Sequence, residues 1–253
     1  MKILLPLSLL CFALIQHDQP QTEIHQVEYL FYINDPDPNW GLHDSYMTKV
    51  VTDGSLSNSL SKDVDTIIPL SDGSILETMN PYFVKDYHLK SIYSSTEDEF
   101  VLNMGSISRP IYISDQVRLD FTLGTAKKTI LGYTCDQYYL NYEGRQYEVY
   151  ITDQLTYPIG PYKFISPIGA VLEVRSFDNA VSIVAKSHTI LEQYELQSSF
   201  AEKPSMDFQS FVALYMKHYT DLKTKLESEF ENSENFFTSR KIEIYPNKYD
   251  KRQ

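Results

Sequence analysis

The sequence predicts a mainly β protein that ends in one amphipathic helix. Between residues 27 and 196 it offers short runs rich in β-branched and aromatic side chains, broken by Asp, Asn, Gly and Ser clusters. Near Met206 the apolar period lengthens from that of a strand to that of a helix. No Gly/Ser-rich or Pro-rich linker divides the chain, so residues 20–245 are expected to form a single domain.

The elements follow in order. Residues 27–33 (VEYLFYI) read as a strand, and the polar, turn-rich stretch from Asn34 to Asp65 reads as a loop. Within it, Asp35, Asp37 and Asn39 resemble the opening of a calcium loop. Trp40 stands where such a loop needs Gly, and Tyr46 where it needs Glu, so a plain surface loop is expected. Further strands are expected at 66–70, 88–93, 99–104, 110–114, 117–122, 129–134, 137–142 and 146–152. Glu143-Gly144-Arg145 joins the last two as a tight turn. Tyr147 and Tyr150, three apart on a strand, point to opposite faces. Residues 168–176 make another strand, and 180–196 one long bent strand or two short ones. From Met206, the residues Phe208, Phe211, Val212, Tyr215, Met216, Tyr219, Leu222 and Leu226 form one helical stripe over 206–230, capped by Ser205 or Asp207. That stripe suits a helix lying over an open sheet. The tail after Lys241 holds one short strand, and 246–253 fray.

The first residues read as a secretory signal: Lys2, the apolar run Ile3 to Leu10, and a small-x-small site at Cys11–Ala13. The apolar run ends at Ile15, short of the ~20 residues that a membrane helix needs. Leu10 stands before Cys11 where a lipoprotein signal needs a small residue. A periplasmic or cell-envelope location is therefore expected, with no transmembrane segment in the mature chain. Removal of residues 1–15 leaves one cysteine, Cys135, and no intrachain disulfide. With 34 Asp plus Glu against 22 Lys plus Arg, the chain is a poor match for nucleic acid, whose binding rests on cationic contacts to phosphate.

The search for chemistry finds little. A nucleophilic cysteine needs a neighbouring base and a depressed pKa, but Tyr133-Thr134 and Asp136-Gln137 flank Cys135 without a cation. His188 is the one later histidine on an expected strand that a fold could bring to it. The six histidines form no HxH, HExxH or Cys/His cluster, so no zinc site is expected. GxSxG, P-loop and dinucleotide fingerprints are missing from the sequence. No catalytic residue and no cofactor is assigned.

The most informative stretch is 127–173, KKTILGYTCDQYYLNYEGRQYEVYITDQLTYPIGPYKFISPIGAVLE. It resembles the GLPGLI family of exported proteins, chiefly found in Bacteroidetes. Lys128, Ile130, Gly132, Tyr133 and Cys135 match a K-I-x-G-Y-x-C strand; Gly144, Arg145 and Tyr147 match a G-R-x-Y turn; Tyr150-Ile151-Thr152 match the piece that follows. Gly160, Pro161, Tyr162, Lys163 and Phe164 match the signature. The name-giving segment departs, with Pro167 and Ile168 where the family has Leu and Pro, while Gly169 and the apolar residues after it are kept. The resemblance implies a curved antiparallel sheet or half-barrel like that of periplasmic lipoprotein carriers, and it brings no enzymatic activity with it. Gly160, Pro161, Tyr162, Lys163, Phe164, Pro167, Ile168 and Gly169 are the candidate family-motif or contact loop, set across the mouth of the curved sheet either to close it structurally or to contact a ligand or partner.

Three functions follow from these readings. The first is a non-catalytic exported protein that binds another envelope protein through a sheet edge or loop 157–169. The second is a carrier or sensor of an apolar small molecule or lipid. The third is an enzyme using Cys135 or paired carboxylates. An open apolar face favours the second, a filled core with a bare edge the first, and Cys135 beside His188 the third.

Overall fold

A computed structural model describes residues 23–34, 43–64, 66–69, 75–78, 84–104, 110–198 and 205–229. In chain order its elements are β1 (Ile24–Asn34), β2 (His43–Thr52), β3 (Leu56–Asp63), β4 (Thr66–Pro69), β5 (Ile75–Thr78), β6 (His88–Ser94), β7 (Glu99–Asn103), β8 (Tyr112–Asp115), β9 (Thr122–Ile130), β10 (Tyr133–Tyr142), β11 (Arg145–Thr152), β12 (Ala170–Ser176), β13 (Val181–Leu191), β14 (Met206–Asp207) and the helix α1 (Phe208–Glu229). Twelve strands form one sheet in the order β14-β8-β7-β6-β3-β2-β1-β13-β12-β11-β10-β9, and β4 and β5 form a separate hairpin. Every pairing is antiparallel except β14 with β8. Among the described residues, no helix is long and apolar enough to cross a membrane.

The connectivity forces the sheet to curl. Strands β8 and β9 follow one another in sequence but lie ten strands apart in the sheet. Laid flat, that separation is about 48 Å at ~4.8 Å per strand. The chain from Asp115 to Thr122 spans at most ~25 Å. The sheet is therefore curved, as expected, with β-bulges where the register steps at Glu28/Tyr29, Ser59/Leu60, Asp136/Tyr138 and Tyr150/Ile151.

One row of paired residues defines the inner face: Tyr46, Phe31, Ile183, Val174, Val149 and Tyr138. It belongs to the main core with Val27, Tyr29, Tyr147, Ile159 and Phe164. Tyr29 Oη donates to the Val171 carbonyl at 2.8 Å, which carries β1 across to the bulged end of β12. On the opposite face, the segment after β13 is fixed to β3: Asn58 Nδ2 donates to Gln197 O at 2.9 Å and Gln197 N to Asn58 Oδ1 at 2.7 Å.

Several expectations need correction. The stretch 34–65 is not a loop: it holds β2 and β3, whose inner positions are Thr48, Val50, Thr52, Ser57, Ser59 and Ser61. These buried hydroxyls hid the strands, because a hydroxyl pays for burial by pairing, as Thr48 Oγ1 and Ser61 Oγ do at 2.8 Å. TILGYT is not one strand but a hairpin turn, with Leu131 and Gly132 at φ 54° and 87°. Residues 117–121 are a connection, not a strand, and Val117, Leu119 and Phe121 pack on the core. The turn at Glu143-Gly144 stands as expected, at φ 42° and 82°. Residues 181–191 are one strand, stepped in register beside Lys186. Helix α1 does not span the open face. It covers the β14–β8 end, where Phe208, Phe211 and Val212 bury Ile113. Asp207 is its cap: Ser210 N donates to Oδ1 at 2.8 Å and Ser210 Oγ to Oδ2 at 2.6 Å. His218 is exposed on it. The signal segment, the calcium-like loop at 35–41 and the tail after Lys241 lie outside the described residues.

Candidate functional site

The loop between β11 and β12 fills the curve of the sheet. Ile159, Gly160, Pro161, Lys163, Phe164 and Gly169 are buried, and Phe164 packs edge-on to Tyr147 with centroids 4.9 Å apart. A turn closed by Phe164 N donating to Pro161 O at 3.1 Å sets Tyr162 at φ 56°, a left-handed conformation uncommon for an aromatic residue. Two glycines are required by close approach. A Cβ at Gly160 would lie 1.8 Å from the Phe164 carbonyl oxygen, and one at Gly169 2.1 Å from that of Thr152. Lys163, 1 % exposed, reaches across the curve: its Nζ donates to Asp115 Oδ2 of β8 at 2.7 Å and stands 4.0 Å above the Phe208 ring of α1. Of the eight candidate loop positions, Pro167 and Ile168 are the exposed ones.

Cys135 and His188 do not form a catalytic pair. Cys135 is buried, its Sγ donates weakly to the Tyr133 carbonyl at 3.6 Å, and burial pushes its thiol up to about 11. His188 instead faces His25 of β1, with His188 Nε2 and His25 Nδ1 3.0 Å apart, and Tyr133 Oη lies 2.8 Å from His188 Nδ1. The sequence reading missed His25, because strand pairing alone brings it beside a residue 163 positions away.

On the face opposite the loop, β11 and β12 each carry a carboxylate, Glu148 and the buried Glu173. Each is engaged by its own partners: Glu173 by Lys128 and by Arg175 Nε at 2.6 Å, Glu148 by Gln137 and by Tyr150 Oη at 3.0 Å. Lys128 also stands 4.1 Å over the Tyr150 ring, so Tyr147 and Tyr150 serve opposite faces as predicted. Among the described residues, no group of three or more His, Cys, Asp or Glu side chains can hold a metal ion.

The remaining feature is an edge. Among the described residues, nothing pairs with the outer side of β9, most of whose side chains are exposed. A two-residue turn joins β9 to β10, so Ile130 and Lys128 exchange hydrogen bonds with β10 while Thr129 and Lys127 turn their N–H and C=O outward. At the other end, Gln137 Oε1 accepts from Thr125 N at 3.2 Å and Ala126 N at 3.1 Å, which takes both donors out of the edge. Large apolar side chains stand exposed nearby: Leu123 at 65 % on β9, and Phe177 at 60 % beside Tyr139 on the opposite face.

The fold and these surfaces define an open, curled antiparallel sheet plugged by its own loop. No family model and no curated protein matches the chain. Among solved structures it is similar to those of PNGF-II in space groups C2 and P21, at 14 % identity and TM-scores of 0.48 and 0.49. The likeness covers 73 % and 75 % of this chain but 31 % and 32 % of those chains, so the chain spans about a third of their length. A likeness this slight carries nothing beyond itself.

Proposed function

We propose that this is a non-catalytic, exported envelope protein that binds an extended segment of another envelope protein along β9. The observation that carries the reading is an edge strand that is bare among the described residues, beside a filled inner face. An added strand would hydrogen-bond to the outward groups of Lys127 and Thr129, giving affinity through main chain and specificity through alternate side chains. Tyr139 and Phe177 supply rigid aromatic contact area next to the edge. Carriage of an apolar molecule is less well supported, because Phe164, Ile159 and the 116–121 connection occupy the face that would hold it. The leader read from residues 1–15, and the resemblance of 127–173 to the GLPGLI family, support the envelope location.

The test is photo-crosslinking in envelope extracts with the reactive group at Ala126 or Leu123. A discrete crosslinked protein that disappears with Thr129→Pro supports the reading. A Thr129→Pro variant that crosslinks unchanged removes the edge from it. Native mass spectra showing a uniform adduct of lipid size would replace it with carriage.

A further inference from the structure

Five side chains from four stretches of chain meet where β1 begins and β13 ends: Glu23, His25, Tyr133, Tyr157 and His188. The two imidazole rings are nearly parallel, 6° apart, with centroids 5.2 Å apart. With facing nitrogens at 3.0 Å, that spacing sets them edge to edge in one plane, so a single proton is shared along the line between them. The chain of donors has one consistent direction. Tyr133 Oη donates to His188 Nδ1, His188 Nε2 donates to His25 Nδ1, and His25 Nε2–H faces Glu23 Oε2 at 3.6 Å. The reverse direction would turn a bare imidazole lone pair toward the Glu23 carboxylate.

The pair also holds the loop. The Tyr157 ring lies with its centroid 4.3 Å from that of His25, and on another side it meets Gly54, where a Cβ would stand 2.6 Å from Tyr157 Cδ1. Tyr157 O accepts from Ile159 N at 2.8 Å, so the position of this ring sets the start of the buried segment. We propose that His25 and His188 form an acid-released latch: a single shared proton holds Tyr157 and loop 157–169 on the inner face, and protonation of both rings parts them and lets the loop lift away. This goes beyond docking at β9, involves none of its residues, and concerns when the apolar inner face is uncovered.

The geometry admits one added proton but not two. A single imidazolium at His25 keeps its N–H toward Glu23 and donates to His188, whose own proton moves to the Tyr133 side. A second charge would set two imidazolium N–H groups against each other at 3.0 Å. The charged and titratable groups facing the pair are Glu23 before β1, Tyr133 on β10 and Tyr157 on the loop; Thr52, opposite His25 on β2, is neutral. Burial lowers both imidazoles below their ordinary value of 6.5, opposed at His25 by Glu23 and reinforced at His188 by His25. A depressed histidine stabilises the folded arrangement above 6.5, and that contribution is lost as pH falls through the lower folded values.

Hydrogen exchange of the full chain tests this, corrected for intrinsic rates and followed between pH 7 and 5. The amides of Phe164 and Ile165 should gain about tenfold in exchange relative to those of β1 and β11, the scale of a local opening made ten times more populated. His188→Gln, which removes the second charge, should abolish that gain. Glu23→Gln alters an exposed side chain and should move the transition to lower pH by roughly half a unit. The latch is overturned by a flat exchange profile in the native chain, by an equal gain in His188→Gln, or by a gain shared with β1 and β11.

Discussion

The two edges of the sheet are finished in opposite ways. At one end β14 adds two residues beside β8, and α1 folds Phe208, Phe211 and Val212 over Ile113. At the other end β9 stands bare among the described residues, held in check by Lys127 and Lys128 and by a bulge that turns two donors back onto Gln137. Lysines and bulges are the usual means of discouraging uncontrolled edge pairing. The difference teaches that one end is closed by buried area, while the other is left selective. A short regular stretch, 127–130, remains for a partner of the right register.

The loop between β11 and β12 ties the covered end to the rest of the sheet, so breaking it should give the largest effect. Gly160→Ala places a Cβ within 1.8 Å of a backbone carbonyl oxygen, which no side-chain movement relieves. Loss of at least about 4 kcal/mol is expected in urea unfolding, with little soluble protein recovered. Next is Lys163→Met, which keeps the packing but strands Asp115 without its cation. That change should cost about 3 kcal/mol, as for removal of one partner of a buried pair. Asp115→Asn in the same background should recover part of the loss, by removing the unpaired charge.

The covered edge itself is broken more gently. Phe211→Ala removes a buried ring from the contact between α1 and β8 and should cost about 2–3 kcal/mol, toward the lower range for such truncations because the site lies at the rim. Hydrogen exchange should show α1 and β14 loosening while β10–β12 keep their protection. If protection falls evenly through the sheet, α1 is part of the cooperative core and the two ends are less distinct than their packing.

The ends and the middle of the sheet also differed in what the sequence disclosed. Helix α1 and its Asp207 cap were legible because an apolar stripe and a short acid need no tertiary information. Strand β11, the 137–142 part of β10 and the Glu143-Gly144 turn between them were equally plain. Strands β2 and β3 were not: serines at alternate inner positions read as loop, and their burial makes sense only once Thr48 is placed beside Ser61. Leu131 concealed a turn, because a branched apolar residue at φ 54° is a poor turn former read alone. The loop 157–169 and its closing of the curved sheet were legible from its prolines and glycines, but the contacts that hold it there were not. Nothing local indicates that Lys163 spans to β8, or that His25 meets His188, since both contacts depend on which strands become neighbours.

The smallest expected effect on stability bears most on the open edge. Thr129→Pro removes an N–H that points outward and breaks no hydrogen bond to β10, since the pairs made across that hairpin are those of Ile130 and Lys128. Proline is tolerated on edge strands for this reason, and Lys128 before it is already extended, so the cost should stay under about 1 kcal/mol. Thr134→Pro makes the matching control. Thr134 lies directly opposite on β10, and its N–H donates inward to Gln154 Oε1 at 2.8 Å, so that variant should be measurably less stable. If Thr129→Pro unfolds as easily as Thr134→Pro, the outer side of β9 is covered by chain that contributes to folding, and the contrast between the two edges disappears.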